Sequence, residues 1–326
     1  MKIAILDDYA NASRTLDAWT KLAGHDVTVF TDHESDPAAL GARLAGFEAV
    51  VVIQQRLWMP RAIIEKLPAS VKLISQTGHW YAHIDVSACT ERGIAITAAG
   101  TTNFHAPAQL TWALILASLR HIPREVAAMR SGRWLSTLGE EVNGRTLGIY
   151  AYGNIGSIVA AAGCAFGMRI LCWGREGSTG RARAAGYDVA ASREEFYETS
   201  DIVSIHLPLR TDSRGIVTAS DLAHMKPTAL FVNVSRAGLV GDHVLAEALR
   251  KGRPGRAAVD VYEEEPVLNT SNPLVGLDNC LCTPHLGYAA RDTFERYLGG
   301  AFDHVNAFAA GKPVNVVNPE ALRSAA

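Results

Sequence analysis

Little in this sequence offers a disulfide or a metal. It has five cysteines, Cys89, Cys164, Cys172, Cys280 and Cys282, and none of them forms a C-x-x-C pair. Cys280 and Cys282 alternate along a strand-like run, so unpaired thiols in a reducing compartment fit better than a disulfide framework or a thiolate metal site. His79 and His83 lie four apart but lack a carboxylate at metal-ligand spacing, which leaves them as loop side chains. Runs of lysine and arginine are missing, and the formal net charge is only -2. A phosphate-rich polymer needs a concentrated basic surface, so no nucleic-acid partner is expected, whereas one or two placed arginines suffice for a small anion. No apolar run reaches bilayer-spanning length. The N-terminus opens directly on Lys2-Ile3-Ala4-Ile5-Leu6, without a basic segment leading into an apolar core. The expectation is a cytoplasmic protein with no membrane partner. Low-complexity segments and short-period repeats are absent as well.

What the chain does have is length and alternation. Its 326 residues exceed what one hydrophobic core usually serves, and 48% of them are hydrophobic against 20% charged, an ordinary globular balance for two domains. Short apolar runs at 2–6, 27–30, 49–53, 71–75 and 94–96 read as buried strands, with amphipathic crossover helices between them. A second series follows, with strands at Thr146–Tyr150, Met168–Trp173, Ile202–His206, Ala229–Val234, Ala257–Val261 and Leu281–Thr283. Strands alternating with helices predict parallel sheets covered on both faces, hence an α/β protein of two doubly wound domains. The first domain has no obvious ending near residue 100, so the helical stretch from about Ala290 is expected to pack back onto it. The expected division is 1–101 plus 290–326 for a discontinuous, flavodoxin-like domain, and 102–289 for a Rossmann-type dinucleotide-binding domain. Between the series, a helix from about Ala106 to Leu119 is apolar nearly all round. Such a helix is buried, either internally or against another subunit, and a homodimer is the expectation drawn from it.

The run Leu147-Gly148-Ile149-Tyr150-Ala151-Tyr152-Gly153-Asn154-Ile155-Gly156 is a strand entering a tight turn, followed by the small-residue helix Ser157–Ala165. A dinucleotide fold uses such a turn to aim backbone N–H groups at a pyrophosphate. Ala151 stands where the first glycine of G-x-G-x-x-G belongs; alanine costs little there if its φ stays negative. Alone, the stretch fits equally an ordinary glycine-containing βα turn. At the end of the next strand, a carboxylate would serve a free ribose and an arginine a 2′-phosphate. Gly174 occupies that position and Arg175 follows, with Ser178, Thr179 and Arg181 nearby. Nothing there would repel a phosphate, and a guanidinium can hold one bidentately. NADP(H) is therefore preferred over NAD(H) as the expected cofactor.

Reduction of a keto acid makes three demands: an anion clamp that polarises the carbonyl, a general acid, and a partner that holds the acid protonated. Three predicted strand ends supply these groups: Arg236 in Asn233-Val234-Ser235-Arg236, Glu265 in Glu263-Glu264-Glu265-Pro266, and His285 in Thr283-Pro284-His285-Leu286-Gly287. Each alone reads as readily as a surface arginine, a solvated acidic run or a plain turn. In this order, behind a dinucleotide-like loop, they form one set, with His285 as acid, Glu265 as its support and Arg236 as the clamp.

These motifs, with Gln76-Thr77-Gly78 through Ile84-Asp85-Val86 and Asp201-Ile202-Val203-Ser204-Ile205-His206-Leu207-Pro208-Leu209, resemble those of the D-isomer-specific 2-hydroxyacid dehydrogenase family, over nearly the whole chain. That family includes phosphoglycerate, glyoxylate and hydroxypyruvate reductases. The resemblance implies an NAD(P)-dependent oxidoreductase acting between a small 2-keto acid and its D-2-hydroxy acid. It implies that Gly78, His79 and Trp80 offer backbone N–H groups to the substrate carboxylate. Tyr152, Gly153, Asn154, Ile155 and Gly156 would lie at the cofactor's phosphates. His206, Leu207, Pro208, Val234, Ser235 and Asp260 would lie along its nicotinamide half, and Gly287 is expected among the cofactor-binding residues. The chain departs from the family pattern at Ala151 and Gly174, at Gln109 where glutamate is common, and at His79-Trp80-Tyr81-Ala82, where small residues and an aspartate are usual. The bulky loop leaves the substrate's identity open. Arg56, after the strand at 49–53, is open between the substrate pocket and a plain surface role. The alternative from another class is a non-enzymatic, cofactor-sensing, corepressor-like binding protein on the same fold.

Overall fold

The computed structural model describes residues 1–100, 102–268 and 270–323. It divides into two compact units, Met1–Thr102 with Ala290–Ala326, and Asn103–Ala289. Residue 101, where the sequence placed the end of the first segment, lies outside the described residues, as do residues 324–326.

The first unit is built on five strands, β1 (Lys2–Ile5), β2 (Asp26–Val29), β3 (Ala49–Val52), β4 (Leu73–Thr77) and β5 (Ala95–Ala99). They pair in the order β2-β1-β3-β4-β5, all parallel. Because both faces are covered, the central strand β3 is apolar without alternation; all of Ala49–Val52 is buried. The helix Arg291–Ala309 packs against β4 and β5 of this unit. Its Phe294, Leu298, Phe302 and Val305 are buried. Its Glu295 carboxylate accepts from the Asp17 and Ala18 N–H groups, so the 3-10 helix Asp17–Leu22 is capped by a residue almost three hundred positions away. The tail then runs beside β5: Thr97 and Val316 form an antiparallel bridge, and the Asn318 carboxamide bonds Ile96 and Ile94.

The second unit has seven parallel strands, β6 (Thr146–Tyr150), β7 (Arg169–Trp173), β8 (Asp188–Val189), β9 (Ile202–Ile205), β10 (Leu230–Asn233), β11 (Arg256–Val259) and β12 (Cys280–Cys282). Their order is β12-β11-β10-β9-β6-β7-β8. The direction of winding reverses between β6 and β9, the place where an open α/β sheet opens a crevice at its carboxyl edge. The two-residue β8 had no apolar run to announce it. One face of the sheet is filled by Phe196, Tyr197, Phe231 and Leu245, the other by Trp112, Ile115, Val159 and Ile170. The apolar helix His105–Leu119 belongs to that second layer: Trp112, Leu114, Ile115 and Leu119 are buried inside the unit, and the Trp112 indole donates to the Val159 carbonyl. Its apolar surface is therefore spent internally and does not by itself argue for a second subunit.

Candidate active site

Each expected catalytic side chain follows a strand of the second unit. Val232-Asn233 ends β10, and the chain turns at once. The Asn233 carboxamide oxygen accepts from Ser235 N–H and its nitrogen donates to the Arg236 carbonyl, an Asx-type turn. The Ser235 hydroxyl donates to the Ile205 carbonyl of β9, which fixes the turn to the neighbouring strand. Arg236 leaves this brace with its Nη1 donating to the Ser235 carbonyl. Desolvation by surrounding protein lowers its pKa and the Glu265 carboxylate opposes that shift, so the two charges are in electrostatic contact.

His285 follows β12. Its Nδ1 lies 2.6 Å from Glu265 Oε2, and its ring meets Tyr288 edge-on at 5.4 Å. The other Glu265 oxygen accepts from Tyr262 N–H at 2.9 Å, so the carboxylate is aimed and not merely nearby. With Nδ1 engaged, Nε2 is the nitrogen left to face a reactant. His285 itself has φ +51, a left-handed conformation that is uncommon for a non-glycine residue. Asp260, wholly buried at the end of β11, accounts for its persistence. One Asp260 oxygen accepts from the Leu286 N–H and the Thr283 hydroxyl, the other from the Gly287 N–H. A side chain on Gly287 would crowd both Asp260 and Val234 at 3.3 Å. The structure thus brings Val234, Asp260 and Gly287 together, and gives Asp260 the task of holding the His285 loop.

The phosphate loop joins β6 to the helix Asn154–Ala165. That helix has no side-chain cap and no acidic residue in its first turn, so its N–H groups and dipole are open to an anion. Gly156 is required by packing: a Cβ there would lie 2.6 Å from the Ala151 carbonyl. Ala151 has φ +74, contrary to the negative φ that would have made the substitution cheap. The turn keeps the conformation a glycine would take, and alanine bears it at roughly 1 kcal/mol. The uncapped helix and the close Gly156 approach fit a dinucleotide.

One further correction concerns the turn after β7. Gly174, φ +152, and Arg175 lie where expected, after β7. A carboxylate does reach them, however: Asp212 pairs with Arg175 at 2.7 Å. Asp212 lies on the stretch after β9, and only the fold brings it to Arg175, so no local signal could have named it. Ser178 Oγ accepts from Tyr152 N–H, and Arg181 donates to the Tyr152 carbonyl, which ties the helix Glu176–Ala184 to the loop. At the end of β9, His206 bonds Ser204 through Nε2, and burial pushes its pKa down to about 4. It is a neutral ring, followed by Leu207 and Pro208.

In the first unit, the carboxyl edge carries the segment Gly78-His79-Trp80. Gly78 has φ +80 and bridges Ala99. The His79 and Trp80 N–H groups reach no acceptor among the described residues. Gln54 and Gln76, neither assigned a role from sequence, brace this segment: Gln54 N–H donates to the Thr77 hydroxyl, and the Gln76 carboxamide donates to the Gln54 and Thr77 carbonyls. Arg56 bonds the Asp7 carbonyl and lies over the Tyr9 ring at 4.8 Å. Gln109 is exposed. No cluster of three metal-ligating side chains occurs among the described residues. The Cys282 thiol donates to the Cys280 sulfur at 3.7 Å, and the two are not joined by a disulfide.

The chain is similar to known proteins. Residues 112–287 match the family described as D-isomer specific 2-hydroxyacid dehydrogenase, NAD binding domain. A glyoxylate reductase from Aeropyrum pernix is 38% identical over 263 residues, 78% of each chain. A hydroxypyruvate reductase from Blautia hydrogenotrophica is 29% identical over 98% of this chain and 100% of its own. The crystal structure of a phosphoglycerate oxidoreductase from Vibrio cholerae superposes with a TM-score of 0.91 at 46% identity, covering 95% of this chain and 99% of that one.

Proposed function

Since the chain belongs to the D-isomer-specific 2-hydroxyacid dehydrogenases and is an NAD-dependent oxidoreductase of that kind, we propose that it reduces a 2-keto acid to the D-2-hydroxy acid with Arg236, Glu265 and His285. The observation that supports this most is the 2.6 Å pair between His285 Nδ1 and Glu265 Oε2, which leaves Nε2 to deliver a proton. Bound at the phosphate loop, a reduced nicotinamide supplies the hydride. Arg236 binds the carboxylate and polarises the carbonyl, concentrating positive charge where oxygen becomes negative. His285 passes its Nε2 proton to that oxygen, and Glu265 stabilises the imidazolium beforehand and holds its orientation. The N–H groups of Gly78, His79 and Trp80 bind the substrate carboxylate. Tyr152 to Gly156 lie at the cofactor's phosphates, and His206 to Pro208, Val234, Ser235 and Asp260 beside its nicotinamide half, with Gly287 also at the cofactor.

The cofactor is NADPH in preference to NADH. The Arg175–Asp212 pair lies at the surface, where such pairs are weak, and a 2′-phosphate offers the guanidinium a stronger, bidentate partner. The protein is a cytoplasmic homodimer. Support for the dimer comes from the helix Ile122–Arg130 and the segment after it, where Ile122, Val126 and Met129 form one exposed stripe continued by Trp134, 84% exposed, and Leu138. No described helix is long and apolar enough to cross a membrane. Nothing in the relatives' names favours the non-enzymatic alternative.

A steady-state panel of 2-keto acids with NADPH and NADH tests the proposal, together with His285→Gln. Turnover should fall by a factor on the order of 10²–10⁴ in that variant while cofactor binding persists. Undiminished turnover would remove His285 from the role of acid.

A further inference from the structure

The carboxyl edge of the first unit's sheet is unusually aromatic. Tyr9 follows β1, Trp58 follows β3, and Trp80 and Tyr81 follow β4. Among the described residues of that unit, these four and Val314 are the large apolar side chains more than a third exposed. Trp58 is 66% exposed and Trp80 62%. Strands β3 and β4 are neighbours, and the loops bearing the two indoles are sewn together by the Met59–Ile84 bridge and the Met59 N–H to His83 carbonyl bond.

The indoles are also supported from below. Trp58 meets the His83 ring edge-on at 6.4 Å and 81°, and His83 is buried with neither ring nitrogen bonded to the described protein. Trp80 lies against His79 at 5.5 Å, and Tyr9 is covered on one side by the Arg56 guanidinium. The rings are held while presenting surface to solvent at the edge where α/β sheets bind ligands. Trp80 moreover belongs to the segment proposed above to bind the substrate carboxylate, so the substrate's side chain would be its neighbour.

Charge narrows the occupant. On residues 7–11, 53–60 and 78–84 the acidic side chains are Asp7 and Asp8, both buried. Asp8 is spent on the Ala12 and Ser13 N–H groups, Asp7 on His33 and Tyr9. A cationic side chain would find no carboxylate there. Arg56 is the one arginine or lysine on these stretches, and it is already bonded to the Asp7 carbonyl, a poor provision for a phosphate dianion, which takes several charge-assisted donors. What remains is an uncharged, flat group able to stack on indole faces.

We propose that the substrate is a 2-keto acid with an aromatic side chain, an arylpyruvate, selected by Trp58 and Trp80. This rests on the function proposed above. The test compares kcat/KM for phenylpyruvate, glyoxylate and 3-phosphohydroxypyruvate in the wild type, Trp58→Ala, Trp80→Ala and Trp80→Phe. The wild type should favour phenylpyruvate at least tenfold. Each alanine variant should lose about tenfold on phenylpyruvate, mainly through KM, as expected for a lost stacking contact; Trp58→Ala should change glyoxylate less than about threefold, and Trp80→Phe should recover most of the loss of Trp80→Ala. A preference for glyoxylate or the phosphorylated acid, or losses equal for all substrates, would overturn the inference and leave the reaction standing. No turnover of any 2-keto acid would overturn both.

Discussion

The two carboxyl edges of this molecule are furnished in opposite ways. At the edge of the seven-stranded sheet, polar groups are tied to one another: Glu265 to His285 and Tyr262, Asp260 to three donors of the His285 loop, Asn233 to the turn of Arg236. At the edge of the five-stranded sheet the exposed groups are aromatic surfaces, and the two acids are buried. Chemistry needs groups fixed within fractions of an ångström, which costs a network of hydrogen bonds. Selection among side chains needs only shaped apolar area. Substitutions at the edge of the seven-stranded sheet should abolish turnover, and those at the edge of the five-stranded sheet should merely redirect it.

The largest effect that could break this contrast is expected from Arg236→Ala. Loss of a charge-assisted clamp should lower kcat/KM by about 10²–10³, and by the same factor for every keto acid in the panel. Selective loss would mean that Arg236 belongs to the discriminating edge. Lysine should rescue poorly, since it lacks the planar fork.

Asp260→Asn comes next. Asparagine presents an N–H₂ where the Gly287 or Leu286 N–H now donates, so one buried donor loses its acceptor. Stability should fall by about 1–3 kcal/mol and kcat should fall with it, as calorimetry and steady-state kinetics on the same preparation would register. Unchanged kcat in a folded variant would detach Asp260 from the positioning of His285.

Acid should probe both units at once. His83 and His206 are each held to a pKa of about 4 by burial. An unfolded histidine takes its proton near 6.5, so between these values the unfolded chain binds more protons and folding weakens as pH falls. For His83 the loss at pH 5 is on the order of 2 kcal/mol, a melting point lower by a few degrees than at pH 7.5. His83→Phe, which keeps a ring against Trp58, should shrink that fall; an undiminished one would show that His83 is not carrying it.

Cofactor choice is a smaller effect. Asp212→Asn frees Arg175 and should raise the NADPH over NADH ratio in kcat/KM a few-fold, while Arg175→Ala should lower it by about tenfold. An unmoved ratio would take Arg175 out of cofactor selection. Smallest of all, Ala151→Gly should stabilise the protein by about 0.5–1 kcal/mol by relieving the left-handed alanine, a shift visible in chemical denaturation.

How legible each edge was follows the same division. Strands buried on both faces were readable because they are apolar throughout, as in Ala49–Val52, whereas the two-residue β8 was not; Arg236, Glu265 and His285 follow β10, β11 and β12. What could not be read was whatever depends on distant residues meeting. Asp212 is separated from Arg175 by two strands and two helices. The sign of φ at Ala151 is set by packing against Gly156, not by alanine. The fate of the apolar helix His105–Leu119 was ambiguous because an all-round apolar helix looks the same inside a monomer as at an interface. His79, Trp80 and Tyr81 were visible as departures, but their exposure and their partner Trp58 were not.

The claim that Glu265 acts through the His285 imidazole can be put to a double-mutant cycle. We expect Glu265→Gln alone to lower kcat by about 10–100-fold, and to lower it no further once His285→Gln is in place, because residues that work as a unit are not additive. Full additivity of the two losses would contradict the account.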